Sequence, residues 1–337
     1  MKIMVTGGTG FIGSHTAKAL LDGGHEVRLL IRDEDKARRV FGVMGYAVPP
    51  CVKGDMTDRD SVVRCMDGCD AVFHSAALVS VDPSQGERMV RENLLGTETV
   101  LGEACKADVR SILYVSSVAA FFEPGDGPIT ADSPLASSKS AYTRSKIEAE
   151  KYARSLMDDG RPVSISYPSA VIGPDDPGWA ESNYSIIVSL KLCSLITSGG
   201  FQFIDVRDLA RIHRLILERD GGPGLYLAGG VYHTWREMAD LLDRVTGRRL
   251  LRVRGPGALF RAMGRAYDIV RPVVRLGIPF SHEAMQYATQ WRLMDDGATR
   301  ETLGVRYRDP EITLRDTIRW LHRAGRVSGK QSGIAAD

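Results

Sequence analysis

The chain begins MKIMVTGGTGFIGSHTAKALLDGG (residues 1–24), an apolar run, a glycine-rich turn and a helix-periodic segment. Ile3–Val5 reads as a buried strand and 15–24 as a helix, so the turn at 6–13 joins the two. Gly8, Gly10 and Gly13 satisfy a G-x-G-x-x-G spacing, and Gly7, Gly10 and Gly13 a looser G-x-x-G-x-x-G. A turn without side chains lets the backbone approach a pyrophosphate, which then sits against the positive end of the helix. EVRLLIR (26–32) supplies the next strand. Glycines alone also serve ordinary turns. Their place inside a strand–turn–helix–strand unit is what predicts dinucleotide binding, through Gly7, Gly10, Phe11, Ile12 and Gly13.

Working outward, apolar runs at 71–76, 111–117 and 163–169 alternate with helical patterns near 57–67, 87–107 and 141–159. That alternation predicts an α/β fold, a doubly wound parallel (Rossmann) sheet covered on both faces. Past residue 169 the regularity weakens into a Pro- and Gly-rich loop (171–179), a helix (183–197), a strand FQFI and a helix (208–220). LYLAGG (225–230) reads as a further strand, and Thr234 with Glu237 as a capping box opening a helix to 247. The expected organisation is a nucleotide-binding domain from 1–168 and 206–228. A smaller, discontinuous substrate lobe would come from 169–205 and 229–322, with a flexible polar tail at 323–337.

Composition narrows the partners. A charge of +2 and the lack of basic runs argue against nucleic acid. The most apolar stretch, 185–196, is short and holds Lys191, so it cannot span a bilayer. The first strand starts at once, which leaves no room for a signal peptide. Five cysteines without metal spacing point to reduced thiols, no metal site and a cytoplasmic protein.

Tyr142 and Lys146 stand four apart on one helix face. A tyrosine titrates near pH ~10, and an adjacent ammonium favours its phenolate, giving a group able to exchange a proton with a carbonyl oxygen or an alcohol. Ser117 closes a strand at the carboxyl edge, where such sheets bind ligands, and its hydroxyl would meet the same oxygen.

With TGGTGFIG, these residues resemble the extended short-chain dehydrogenase/reductases, the NAD-dependent epimerase/dehydratase family. The similarity is to the dihydroflavonol 4-reductase-like and 3β-hydroxysteroid dehydrogenase-like branch. GDMTD (54–58), HSAA (74–77), ENLLGTETVL (92–101), YVSS (114–117), YTRSKIEAE (142–150), YPSAVIGPDD (167–176) and FIDVRDLAR (203–211) follow in family order. The resemblance implies that Tyr142 is the general acid/base, that Ser117 orients the carbonyl, and that Lys146 holds the nicotinamide ribose and depresses the tyrosine. It places Asn93 under the active-site end of its helix, in a catalytic or purely structural role. Asp55 would meet the adenine amino group with Met56 beside the ring, Ala76 and Ala77 would line the cleft, and Pro168, Ser169 and Val171 would pass near the nicotinamide amide. Tyr167 is a departure, since relatives often carry Arg there.

Arg32 follows the last apolar residue of the second strand and suits a 2′-phosphate, with Lys36 and Arg38 near, so NADP is expected over NAD; Asp33 serving the ribose is the competing arrangement. Relatives that handle nucleotide sugars usually place an arginine before the F-x-x-V-x-D segment, whereas Gly199–Phe203 carries no basic residue. With Trp179, Tyr184 and Phe201 nearby, the expected reaction interconverts a ketone or aldehyde and its alcohol on a fairly apolar small molecule. A nucleotide-sugar epimerase or dehydratase with bound NAD, and a non-catalytic cofactor sensor, are the alternatives. Segment 252–281 sets arginines among apolar residues and is expected to cap the cleft, in preference to a membrane contact. The resemblance allows a homodimer or a monomer.

Overall fold

The computed structural model describes residues 1–80, 83–125, 127–138, 140–220, 222–270 and 280–336. Its strands, in chain order, are β1 (Lys2–Thr6), β2 (Glu26–Ile31), β3 (Cys51–Lys53), β4 (Ala71–His74), β5 (Ser111–Val115), β6 (Val163–Pro168), β7 (Ala170–Ile172), β8 (Ser194–Ile196), β9 (Gly200–Asp205), β10 (Leu225–Ala228), β11 (Val231–Thr234) and β12 (Arg252–Arg254). The helices of the first half are α1 (Phe11–Asp22), α2 (Glu34–Val43), α3 (Arg59–Met66), α4 (Gly86–Lys106) and α5 (Ala141–Asp158). Those that follow are α6 (Glu181–Lys191), α7 (Val206–Glu218), α8 (Trp235–Thr246), α9 (Gly257–Val270), α10 (His282–Thr289), α11 (Gly297–Leu303), α12 (Pro310–Arg323) and α13 (Gly329–Ser332).

Seven strands form one sheet in the order β10-β6-β5-β4-β1-β2-β3, every pairing parallel. The order reverses between β1 and β4, which opens a crevice at their carboxyl ends. Because strand side chains alternate, Ile3 and Val5 face one side and Met4 the other. The first side packs with Leu20 of α1 and Leu209, Ile212 and Ile216 of α7. The second packs with Val100 and Leu101 of α4 and Ala149 and Ala153 of α5. The doubly wound parallel sheet read from the sequence is therefore present. β3 and α2 were not visible in it.

A three-stranded sheet, β11-β9-β7, and a parallel pair, β12-β8, lie outside the main sheet. Around them Ile186 and Leu190 of α6, Leu241 and Leu242 of α8, and Leu314, Ile318 and Leu321 of α12 form a third core. The Thr234–Glu237 capping box opens α8 as expected. One expectation is corrected. Residues 323–336, read as a flexible tail, instead fold against this core. Val327 and Ala335 are buried in it, Ser328 and Gln331 form a capping box on α13, and the Arg326 guanidinium lies 3.9 Å from the Trp179 ring centre. The polar composition hid two small apolar anchors and a cation–π contact.

Candidate active site

The crevice is built first by glycines. Gly7 follows β1 at φ +73°, and a Cβ there would stand 2.7 Å from the Ala76 amide and the Ser75 hydroxyl. A Cβ on Gly13 would stand 2.1 Å from the Gly7 carbonyl oxygen, so α1 starts closer to the turn than any other residue allows. α1 is capped by Gly10 with no side-chain hydrogen bond and has no acidic residue in its first turn. The amides of Phe11, Ile12 and Gly13 therefore stand at a positive helix end without a competing carboxylate, the geometry that accepts a phosphate. From β4, Ser75 Oγ donates to the Thr6 carbonyl (3.0 Å) and the Ala76 amide to Thr6 Oγ1 (3.3 Å), which draws Ala76 and Ala77 to the same rim. These groups fit the diphosphate of a dinucleotide.

At the far end of the crevice, Arg32 after β2 pairs with Asp55 after β3 at 3.6 Å. Burial works to raise the Asp55 carboxyl, but the Thr57 amide and hydroxyl together with Arg32 hold it below the usual range. Asp33 is committed elsewhere: it caps α2 by accepting from the Lys36 amide at 2.9 Å. Met56 packs against Gly96 of α4, where a Cβ would meet its side chain at 2.7 Å.

The other end holds the residues read from the sequence as the reacting groups. Ser117 follows β5 and Tyr142 lies in the first turn of α5, which Ser140 caps. Burial raises the phenol of Tyr142, and the nearby Ser117 hydroxyl partly offsets it. Lys146, one turn on, is buried and donates from Nζ to the Val115 carbonyl at 3.1 Å. Desolvation lowers its pKa to about 8, opposed by the charge of Glu150. Loss of solvent is the largest influence on the Tyr142 phenol, and the Lys146 ammonium is held by the β5 backbone. Asn93 exchanges two hydrogen bonds with the Leu78 backbone (2.7 and 2.9 Å) and donates to Ser145 Oγ at 3.2 Å. It ties the β4 exit to α4 and α5, leaving its amide no free donor for a ligand.

The departure at Tyr167 acquires a physical reading. Glu150, fully buried one turn beyond Lys146, accepts from Ser116 Oγ at 2.6 Å, the Tyr167 hydroxyl at 2.8 Å and Arg154 Nε at 2.9 Å. Arg154 also donates to the Tyr167 oxygen at 3.1 Å. The guanidinium that meets Tyr167 comes from helix α5. At the end of β6 and just past it, Pro168, Ser169 and Val171 are buried, and the Ser169 hydroxyl donates to the Gly229 carbonyl at 2.6 Å.

Sequence reading missed the wall above Tyr142. Tyr287 of α10 stacks on Phe122 with centroids 4.2 Å apart, and Trp291 lies 6.2 Å from Tyr287. Its phenol is raised by burial and by the charges of Glu283 and Glu181, and the nearby Thr143 hydroxyl partly offsets this. The same two carboxylates raise Tyr142. The i,i+4 pair Tyr287 and Trp291 was the one signal available.

Comparison with known proteins agrees with this geometry. The description "NAD dependent epimerase/dehydratase family" matches residues 3–229. A putative dihydroflavonol 4-reductase of Synechocystis is 35% identical, covering 96% of this chain and 95% of that one. A 4-hydroxy-2-methyl-3-oxo-4-farnesyl-3,4-dihydroquinoline-1-oxide ketoreductase of Stigmatella aurantiaca is 33% identical over 73% of this chain and 74% of its own. The crystal structure of a UDP-glucose-4-epimerase from Stenotrophomonas maltophila, with bound NAD and formylated UDP-arabinopyranose, superposes at a TM-score of 0.75. It is 23% identical, and the match covers 97% of this chain and all of that one. The glycine cradle, the serine–tyrosine–lysine arrangement and these likenesses converge: the chain belongs to the NAD-dependent epimerase/dehydratase family, the extended short-chain dehydrogenase/reductases.

Proposed function

We propose that the protein is an NADP(H)-dependent oxidoreductase that interconverts a ketone or aldehyde and the corresponding alcohol on an uncharged, fairly apolar small molecule. The observation that carries this reading is the Ser117 hydroxyl beside the buried Tyr142 phenol, with the aromatic group of Phe122, Tyr287 and Trp291 near it. A bound nicotinamide would supply or accept the hydride. Tyr142 would donate its phenolic proton to the carbonyl oxygen while the Ser117 hydroxyl orients that oxygen. Lys146, with a pKa near 8, keeps its charge at neutral pH and stands ready for the ribose hydroxyls. A phenol raised by burial is protonated at neutral pH and so able to act as the acid when a carbonyl is reduced.

Glu181 and Glu283 add negative potential at the phenol, unfavourable to a phosphate-bearing substrate. Around Gly199–Phe203 the chain supplies structure: Gln202 donates to the Met294 carbonyl and accepts from the Met294 amide. Arg32 favours the 2′-phosphate of NADP, since Asp33 is used as a helix cap. The likeness to a ketoreductase supports the ketone–alcohol reaction.

The test is a panel of ketones, aldehydes and alcohols with NADPH, NADH and their oxidised forms, followed by nicotinamide absorbance. Turnover of uncharged carbonyls that falls ~10²–10⁴-fold in Tyr142→Phe is expected. NAD(H) retained through purification with turnover of nucleotide sugars would overturn the reading in favour of an epimerase. Cofactor binding with no turnover across the panel would leave a sensor.

A further inference from the structure

Helix α9 (Gly257–Val270) is apolar on both sides. Phe260 and Gly264 are buried on its inner side, where a Cβ on Gly264 would stand 2.8 Å from the Ser281 carbonyl oxygen at the start of α10. Its outer side presents Leu259, Met263, Ala266, Ile269 and Val270 to water, with Leu259 52% and Ile269 80% exposed. Leu259, Met263, Ala266 and Val270 follow the i, i+4, i+7, i+11 spacing of a single face. Just before α9, Leu251 and Val253 beside and within β12 are also exposed. An apolar surface of this extent marks a contact with something other than water.

Charge identifies the partner. Residues 248–270 hold six arginines and one acidic residue, in a chain whose total is +2. Arg252 is neutralised by Asp240 and Asp243. Arg249, Arg254 and Arg265 are exposed, and none of the three forms an ion pair among the described residues; Arg265 donates from Nε to His282 at 3.3 Å. Arg261 spends its guanidinium on Thr289, donating at 2.7 Å. A second copy of this chain would be a poor occupant, because a two-fold contact would set the arginines of one face against those of its mate.

We propose that α9, with β12 before it, docks the protein onto a bilayer carrying anionic phospholipid, its apolar face entering the headgroup boundary while Arg249, Arg254 and Arg265 meet the phosphates. Among the described residues no helix is long and apolar enough to cross a membrane, so the attachment is peripheral. The cleft-capping role read from the sequence is compatible, since α9 packs on α10, which carries Tyr287. Arg271 and Arg275, part of the same reading, lie outside the described residues. The docking does not depend on the proposed reaction.

Co-sedimentation with phosphatidylcholine vesicles, with and without phosphatidylglycerol, is the test. Binding to the anionic vesicles alone, weakened by added salt, is expected. Arg249→Gln and Arg254→Gln should each lower partitioning about fivefold, and Leu259→Ser with Ile269→Ser about tenfold. Thermal unfolding and NADPH binding should match wild type, since these side chains face water. No partitioning of the wild-type protein, or partitioning indifferent to phosphatidylglycerol and salt, overturns the proposal. So does a dimer in sedimentation velocity that Leu259→Ser and Ile269→Ser convert to monomer, which would give the face to a second copy.

Discussion

Replacing Arg154 by methionine exposes the cost of one buried charge. Glu150 is fully buried, while the Arg154 side chain is 30% exposed. Methionine keeps the apolar stem but removes the guanidinium, leaving the carboxylate with the hydroxyls of Ser116 and Tyr167 as donors. Removing one partner of a buried pair costs about 3–5 kcal/mol. Partial exposure of the arginine places the expected loss near the lower end, about 3 kcal/mol, a large share of the ~5–15 kcal/mol of a typical domain. The reciprocal change, Glu150→Gln, leaves a cation that still reaches water, an amide oxygen that accepts from the Tyr167 hydroxyl, and an amide nitrogen that donates to the Ser116 hydroxyl once that hydroxyl turns to accept. Its expected cost is about 1–2 kcal/mol. Equilibrium urea unfolding of both variants, compared at equal m-value, measures the order. If Glu150→Gln proves the more damaging, or Arg154→Met stays within about 0.5 kcal/mol of wild type, the carboxylate does not depend on this guanidinium and the reasoning fails.

Three further outcomes are expected. Lys146 has a folded-state pKa of about 8, below its unfolded value, so between those values the unfolded chain binds more protons and stability rises with pH. Lys146→Met should lose that rise, roughly 3 kcal/mol across the window; parallel pH–stability curves for the two proteins would refute it. Gly13→Ala would press a methyl group onto the Gly7 carbonyl at 2.1 Å, at a cost of about 1–3 kcal/mol. NADPH affinity, read by fluorescence titration, should fall with it, and unchanged affinity and melting would mean the turn yields freely. Arg32→Asp should exchange the cofactor preference from NADP(H) to NAD(H) in paired titrations, and wild-type protein that binds NAD(H) at least as tightly as NADP(H) would remove the basis for it.

What the sequence revealed depended on how local the cause was. Gly7 and Gly13 were legible because a close backbone approach admits one residue type. Tyr142 and Lys146 were legible because helical spacing places them on one face. α2, EDKARRVFGV, escaped notice because it buries only Ala37, Val40 and Phe41 among charges. β3 is three residues long, too short for an alternation to declare itself. The direction of Lys146 depends on Val115, thirty-one residues earlier, and the wall over Tyr142 comes from α10, far along the chain. Contacts of that separation leave no period in a sequence.

The place of β10 in the sheet has a consequence for how the chain is made. β10 pairs with β6, yet β7, β8 and β9 are synthesised between them, and α7, which covers Leu20 of α1, emerges late as well. During synthesis the first 168 residues hold six of the seven strands, an open edge on β6 and an uncovered apolar face, a surface prone to stray pairing. The large sheet is finished only when about residue 228 has appeared, after part of the smaller assembly already exists. Neither half closes without the other, so the two are expected to gain their order together, and a gene cut at the apparent boundary would yield two unfinished pieces.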